Sequence, residues 1–171
     1  MEIAGRAVTA LELSKELISS AQVLGDHFGG FTFSGGEPLF QPDFLLETAK
    51  HLSGFHLCME TSGYADADVF KAAAQTMNLV IMDVKLADGE AHERYTGKTN
   101  EKILKNLSWL QASHIPHIIR TPLIPGITDT EENLKDIKTL IGSSTWEKIP
   151  YNGAAGAKYE MLGMKYSLDA E

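Results

Sequence analysis

Three properties of this chain predict an α/β fold built on a parallel sheet. Strand and helix periodicities alternate along its length five times. The run Leu79-Val-Ile-Met-Asp-Val-Lys85 is apolar and ends in charges, the pattern of a parallel strand covered on both faces. Polar residues also gather where the strands end. Repeated β–α pairs with right-handed crossovers close as an open doubly wound sheet or as a barrel, and periodicity leaves both open.

Each element has its own warrant. Thr9 with Glu12 reads as a capping box, opening a helix whose apolar face is Leu13, Leu17, Ile18, Ala21 and Leu24. A strand at 31–34 follows, with aromatics alternating. Pro42 and Asp43 begin a second helix with Phe44, Leu45, Thr48, Ala49 and Leu52 inward. A strand is expected at 55–61, a helix from Asp66 to Met77, and a strand at 79–85. Asn100 is placed to cap a helix faced by Ile103, Leu104, Leu107 and Leu110. His117–Ile124 reads as a strand, and Pro125-Gly126 turns it into a helix begun at Thr128, Asp129 or Thr130 and faced by Leu134, Ile137, Leu140 and Ile141. Ile149-Pro-Tyr151 is the last strand, and a poor one.

Composition bounds the function. The 171 residues suit one domain, 1–171, with a real core. A net charge of −8 without a basic run argues against nucleic acid. No apolar stretch is long enough to span a membrane, and Met1–Thr9 lacks the features of a signal peptide, so the cytoplasm is the expected location. The one cysteine, Cys58, reads as a small buried apolar residue, and the methionines as core. The six histidines show no zinc-ligand spacing.

Chemistry concentrates at the strand ends, where ligands bind in parallel α/β architectures. Phe31-Thr-Phe-Ser-Gly-Gly-Glu-Pro38 ends a strand in Gly35 and Gly36, a ledge without side chains where backbone can approach a ligand. Glu37 adds a carboxylate. Asp83 and Lys85 are two apart on one strand and share a face, where they can pair. Glu60 and Thr61, before Ser62-Gly63, offer oxygens that could hold a cation together with Asp83. Arg120, inside an apolar strand, can clamp a carboxylate or pair structurally with Glu37 or Asp83.

Taken in order, Ser34-Gly-Gly-Glu-Pro38, Glu60-Thr-Ser-Gly63, Asp83-Val-Lys85, Tyr95-Thr-Gly97, Arg120 with Ile124-Pro-Gly-Ile-Thr-Asp129, and Pro150-Tyr151-Asn152 resemble the glycyl-radical-enzyme activating proteins. These form the pyruvate formate-lyase activase branch of the radical S-adenosylmethionine (SAM) superfamily. The resemblance runs from near residue 9 to near 168, and Pro-Tyr-Asn-x3-Gly-x-Lys-Tyr at 150–159 narrows it to the activases. It implies a partial (β/α) TIM-like barrel of about five strand–helix units with its first strand missing.

The implied activity is reductive cleavage of SAM on a [4Fe–4S] cluster, the 5′-deoxyadenosyl radical then taking hydrogen from a glycine of a partner glycyl-radical enzyme. A flavodoxin or ferredoxin-type protein would donate the electron. By motif, Gly35, Gly36 and Glu37 would hold the methionine amino group. Asp83, Val84 and Lys85 would meet the methionine carboxylate and ribose, with Ser62 beside them and Asn152 near the adenine. Glu60, Thr61 and Asp83 match a monovalent-cation site, and Arg120 a polar barrel residue near the substrate.

The family's Cys-x3-Cys-x2-Cys motif has no counterpart in this sequence. The expectation is therefore a truncated core, inactive alone, with an unpaired sheet edge beside Phe31 and Phe33 inviting dimerisation. Two other functions compete: a cluster-free module binding SAM or the partner, and a Schiff-base aldolase using Lys85 as nucleophile.

Overall fold

The computed structural model describes residues 6–25, 29–152 and 163. Helix α1 (Ala10–Leu24) precedes strand β1 (Phe31–Phe33), then come α2 (Pro42–His51), β2 (Leu57–Thr61), α3 (Ala67–Ala74) and β3 (Leu79–Asp83). Two helices follow in succession, α4 (Gly89–Thr96) and α5 (Glu101–Ala112), before β4 (His117–Leu123), α6 (Glu131–Ile141) and β5 (Thr145–Pro150). All neighbouring strands are parallel, and their order in space is their order in sequence.

That order decides between the two closures. A doubly wound sheet reverses its strand order, which puts helices on both faces. Here each right-handed crossover steps the same way, so the helices fall on one face and the sheet winds as a barrel does. Among the described residues β1 and β5 are edges, so the barrel is partial.

The core lies between the sheet and its helices. Met59, Val80, Met82 and Ile119 point outward from the strands and are sealed by Leu52, Phe70, Leu107, Leu110, Ile137 and Ile141. Phe70 meets Trp109 edge to face, with ring centroids 6.1 Å apart. Gly63 fits this packing tightly: at φ +70° it has no Cβ, and one would stand 2.3 Å from Met82 Cε.

Several expectations change in detail. Strand β3 is covered by helices on one face only, its burial alternating along the chain. On the expected face of α1, Ala21 is buried and Leu17 and Ile18 pack half-buried against the core, whereas Leu24 is 53% exposed; Ala10 and Ser14 are buried as well. The capping box of Thr9 and Glu12 is present. Helix α4 was not expected; only His92 of it is buried, so it carries no apolar stripe, and Asp88 and the left-handed Gly97 (φ +79°) bound it. Strand β5 starts at Thr145 rather than Ile149 because pairing with β4 from Ile118↔Thr145 onward defines it. Asn100 sits at the N-cap of α5 but its side chain makes no cap bond. Thr130 caps α6.

Candidate functional site

Alternation along each strand sorts the side chains onto two faces. Leu57 and Met59 point to the helices, so Cys58 and Glu60 point to the open face. The register carries that face across the sheet, Asp83 opposite Arg120 and Arg120 opposite Glu147. The C-terminal ends of the strands thus frame a cleft of about 330 Å³, lined by residues 34–37, 60–62, Asp83, Lys85, Arg120, Pro122 and Ile149. Its carboxylates outnumber its cations, which favours a ligand carrying positive charge.

The glycine ledge forms one wall. Gly35 has φ +112°, a conformation left to glycine, and a Cβ on either Gly35 or Gly36 would meet nothing within 4 Å. Open space therefore lies directly over a bare backbone. Glu37 stands behind it and is held on both oxygens. Oε1 accepts from the Thr61 hydroxyl at 2.6 Å and the Leu39 N–H at 3.2 Å. Oε2 accepts from the Ser62 N–H at 2.9 Å and the Ser62 hydroxyl at 2.6 Å. Four charge-assisted bonds make Glu37 a brace between the β1 and β2 ends.

Asp83 and Lys85 form the ion pair expected of them, Nζ to Oδ2 at 2.7 Å, each side chain 32% exposed. Val84, between them, turns away into the core, and its N–H and C=O are engaged by the Arg120 carbonyl and the Thr121 hydroxyl.

Arg120 pairs with neither Glu37 nor Asp83. Its guanidinium spans Glu60 at 3.2 Å and Glu147 at 3.5 Å. The register puts Glu147 directly opposite Arg120, while Glu60 is on β2, beyond β3. Arg120 Nε is buried and has no partner. Ser34 donates to the other oxygen of Glu60 at 3.2 Å. The three oxygen-bearing residues named for a cation thus already have protein partners: Glu60 holds Arg120 and Ser34, Thr61 donates to Glu37, and Asp83 holds Lys85. No group of three or more His, Cys, Asp or Glu poised for a metal exists among the described residues.

Cys58 lies deeper on the same face. Burial, then the charge of Glu60, pushes its thiol above the usual range, so it stays protonated and inert. Asn152 follows β5 and does not line the cleft, and Gly156, Lys158 and Tyr159 lie outside the described residues. Sequence reasoning missed Glu147, whose signal is its place two residues before Ile149 on a strand expected to start later. It also missed two buried asparagines behind the strand ends, Asn106 and Asn133, which resemble any polar helix residue, and read the buried Asn100 only as a helix cap.

Residues 5–137 match the family model of the radical SAM superfamily. The (2S)-3-sulfopropanediol sulfolyase activating enzyme of Bilophila wadsworthia is 36% identical over 148 residues, which are 82% of this chain and 49% of that protein. The pyruvate formate-lyase-activating enzyme of Staphylococcus epidermidis is 34% identical over 176 residues, 96% of this chain and 70% of that protein. The crystal structure of a domain of pyruvate-formate lyase-activating enzyme from Bacteroides vulgatus superposes with a TM-score of 0.66 at 29% identity, covering 81% of this chain and 97% of that one. The chain spans about half the length of several curated relatives it matches. With the glycine ledge and the Asp-x-Lys pair at the C-terminal edge of a one-way wound sheet, the chain belongs to the radical SAM superfamily, in its branch of glycyl-radical-enzyme activating enzymes.

Proposed function

We propose that this chain is the SAM-binding barrel core, as one domain over 1–171, of an enzyme that installs a radical on a glycine of a partner glycyl-radical enzyme. The observation that carries it is the convergence of a bare, open glycine backbone and a half-buried Asp83–Lys85 pair on one cleft. The residues fit the methionyl end of SAM. Backbone groups of Gly35 and Gly36 take the amino group, with the negative charge of Glu37 behind them. Lys85 takes the carboxylate, Asp83 and Ser62 face the ribose, and Asn152, outside the cleft lining, serves an adenine that extends past it. Arg120 stands where the substrate glycine enters, held ready by Glu60 and Glu147.

The chemistry a [4Fe–4S] cluster would supply when bound is one-electron reduction of SAM, with a flavodoxin or ferredoxin-type protein as the donor. Cys58 is the only cysteine in the sequence, and one thiol does not fit such a cluster. A monovalent cation near Glu60, Thr61 and Asp83 belongs to the same reading, and its test is whether potassium changes SAM affinity. The setting is an anaerobic cytoplasm. No helix among the described residues is long and apolar enough to cross a membrane.

Calorimetry of the chain with SAM, methionine and 5′-deoxyadenosine tests the reading. SAM is expected to bind, and Lys85→Met to weaken it about tenfold, the scale of one charged hydrogen bond. No heat with SAM, in a folded chain, overturns it. A second reading, a module that binds SAM or the partner without a cluster, is separated by whether the partner's glycine-loop peptide binds alone. Edge pairing through β1 is part of the proposal for this chain, and a clean monomer by light scattering at high concentration excludes it.

A further inference from the structure

Burying an amide side chain is costly unless its donors and acceptor are matched, so a buried asparagine marks a crossing the chain needs fixed. Asn106, from α5, donates to the Gly63 and Ala65 carbonyls, both at 2.9 Å, and ties down the loop after β2. Asn100 donates to the Leu86 and Ala87 carbonyls at 3.1 and 2.8 Å. Asn133, in the first turn of α6, reaches further. Its Nδ2 donates to the carbonyls of Lys85 at 3.0 Å and Thr128 at 2.8 Å, while Oδ1 accepts from the Ala87 N–H at 2.9 Å.

The position of that clamp matters. Strand β3 ends at Asp83, and the Val84 N–H donates to the Arg120 carbonyl at 2.9 Å. Lys85 lies past the ladder, yet its ammonium has to reach Asp83 Oδ2 at 2.7 Å. A long side chain on an untethered backbone spreads its charge over many positions. Asn133 grips both ends of the Lys85–Ala87 segment and joins it to the loop after β4, where Thr128 accepts from the Ile124 N–H at 2.6 Å and donates to the Pro122 carbonyl.

We propose that Asn133 is a positioning residue that sets where the Lys85 ammonium stands in the cleft, through the Lys85 carbonyl and the Ala87 N–H. Its value for the reaction rests on the reading of the cleft as the SAM site, whereas the placement itself does not.

Residue-resolved acylation of lysines on the whole chain, followed by mass spectrometry, tests it. Asn133→Asp keeps an acceptor for Ala87 but sets a carboxylate oxygen against two carbonyls. Labelling of Lys85 is expected to rise roughly fivefold, the equivalent of one lost hydrogen bond, with Lys71 and Lys98 unchanged. Asn106→Asp does the same damage to the neighbouring loop and should leave Lys85 within about twofold. Asn133→Ser, smaller and uncharged, replaces Asn133→Asp if that variant does not fold. An unchanged Lys85 rate in a folded Asn133 variant, or an equal rise in Asn106→Asp, overturns the proposal. Amide exchange in the unsubstituted chain needs no variant: Ala87 should be protected like Val84, and exchange at the speed of an open loop overturns it. None of these readings uses SAM, so failure here leaves the cofactor assignment standing, and absent SAM binding leaves the clamp standing.

Discussion

Met59, Val80, Met82 and Ile119 are fully buried on the helix-covered face of the sheet, whereas Glu60, Asp83 and Arg120, their next neighbours along the same strands, are partly exposed charges on the other. One residue step separates core from cleft. The first face holds the fold together by area removed from water. The second contributes little to that and instead holds charges at fixed separations. Glu37 breaks the division: it lies at the cleft, yet four hydrogen bonds tie it into the scaffold.

Substitutions can break or sharpen this contrast. Phe70→Ala, at a fully buried ring set edge to face against Trp109, is expected to cost about 3–5 kcal/mol in urea unfolding. Glu37→Ala should cost about 2 kcal/mol, since it orphans the Thr61 and Ser62 donors. A cost below half a kcal/mol would return Glu37 to the ligand-only side of the contrast.

Lys85→Met should move stability by less than about 1 kcal/mol, because a pair this exposed is screened by solvent, while SAM affinity falls. A large loss of stability would show that the cleft face carries the fold.

The smallest effect is a pH dependence away from both faces. Lys102, by hydrogen bond and then by charge, holds the Asp66 carboxyl below its ordinary range. A depressed carboxyl stabilises the fold above its unfolded pKa, and that contribution is lost as pH falls through the folded value. The difference in melting temperature between the unsubstituted chain and Lys102→Met should therefore be present at neutral pH and vanish in acid. A difference that persists in acid would assign it to the Lys102 ammonium over the Tyr64 ring instead.

Much of the cleft is legible in the sequence. Glycine after a strand, and two charges two residues apart, are local patterns whose geometry follows from backbone sterics and the strand repeat. The partners of Arg120 could not be read, because Glu60 and Glu147 lie 60 and 27 residues away and meet it only through register. Helix α4 escaped notice for a related reason: it buries only His92, whose ring nitrogen lies 2.7 Å from the Lys98 carbonyl, and shows no apolar stripe.

The chain's residues alone specify the alternation of strand and helix, the bare ledge at Gly35 and Gly36, and the Asp83–Lys85 pair, since each depends on neighbours close in sequence. Folding adds the one-way strand order that collects the helices on one face and leaves the other open. It adds the commitment of Glu37 to Thr61 and Ser62, and the reach of Asn133 across 48 residues to Lys85. These depend on which strand lies beside which and on how far each has slid, a choice made by packing the whole sheet against its helices at once.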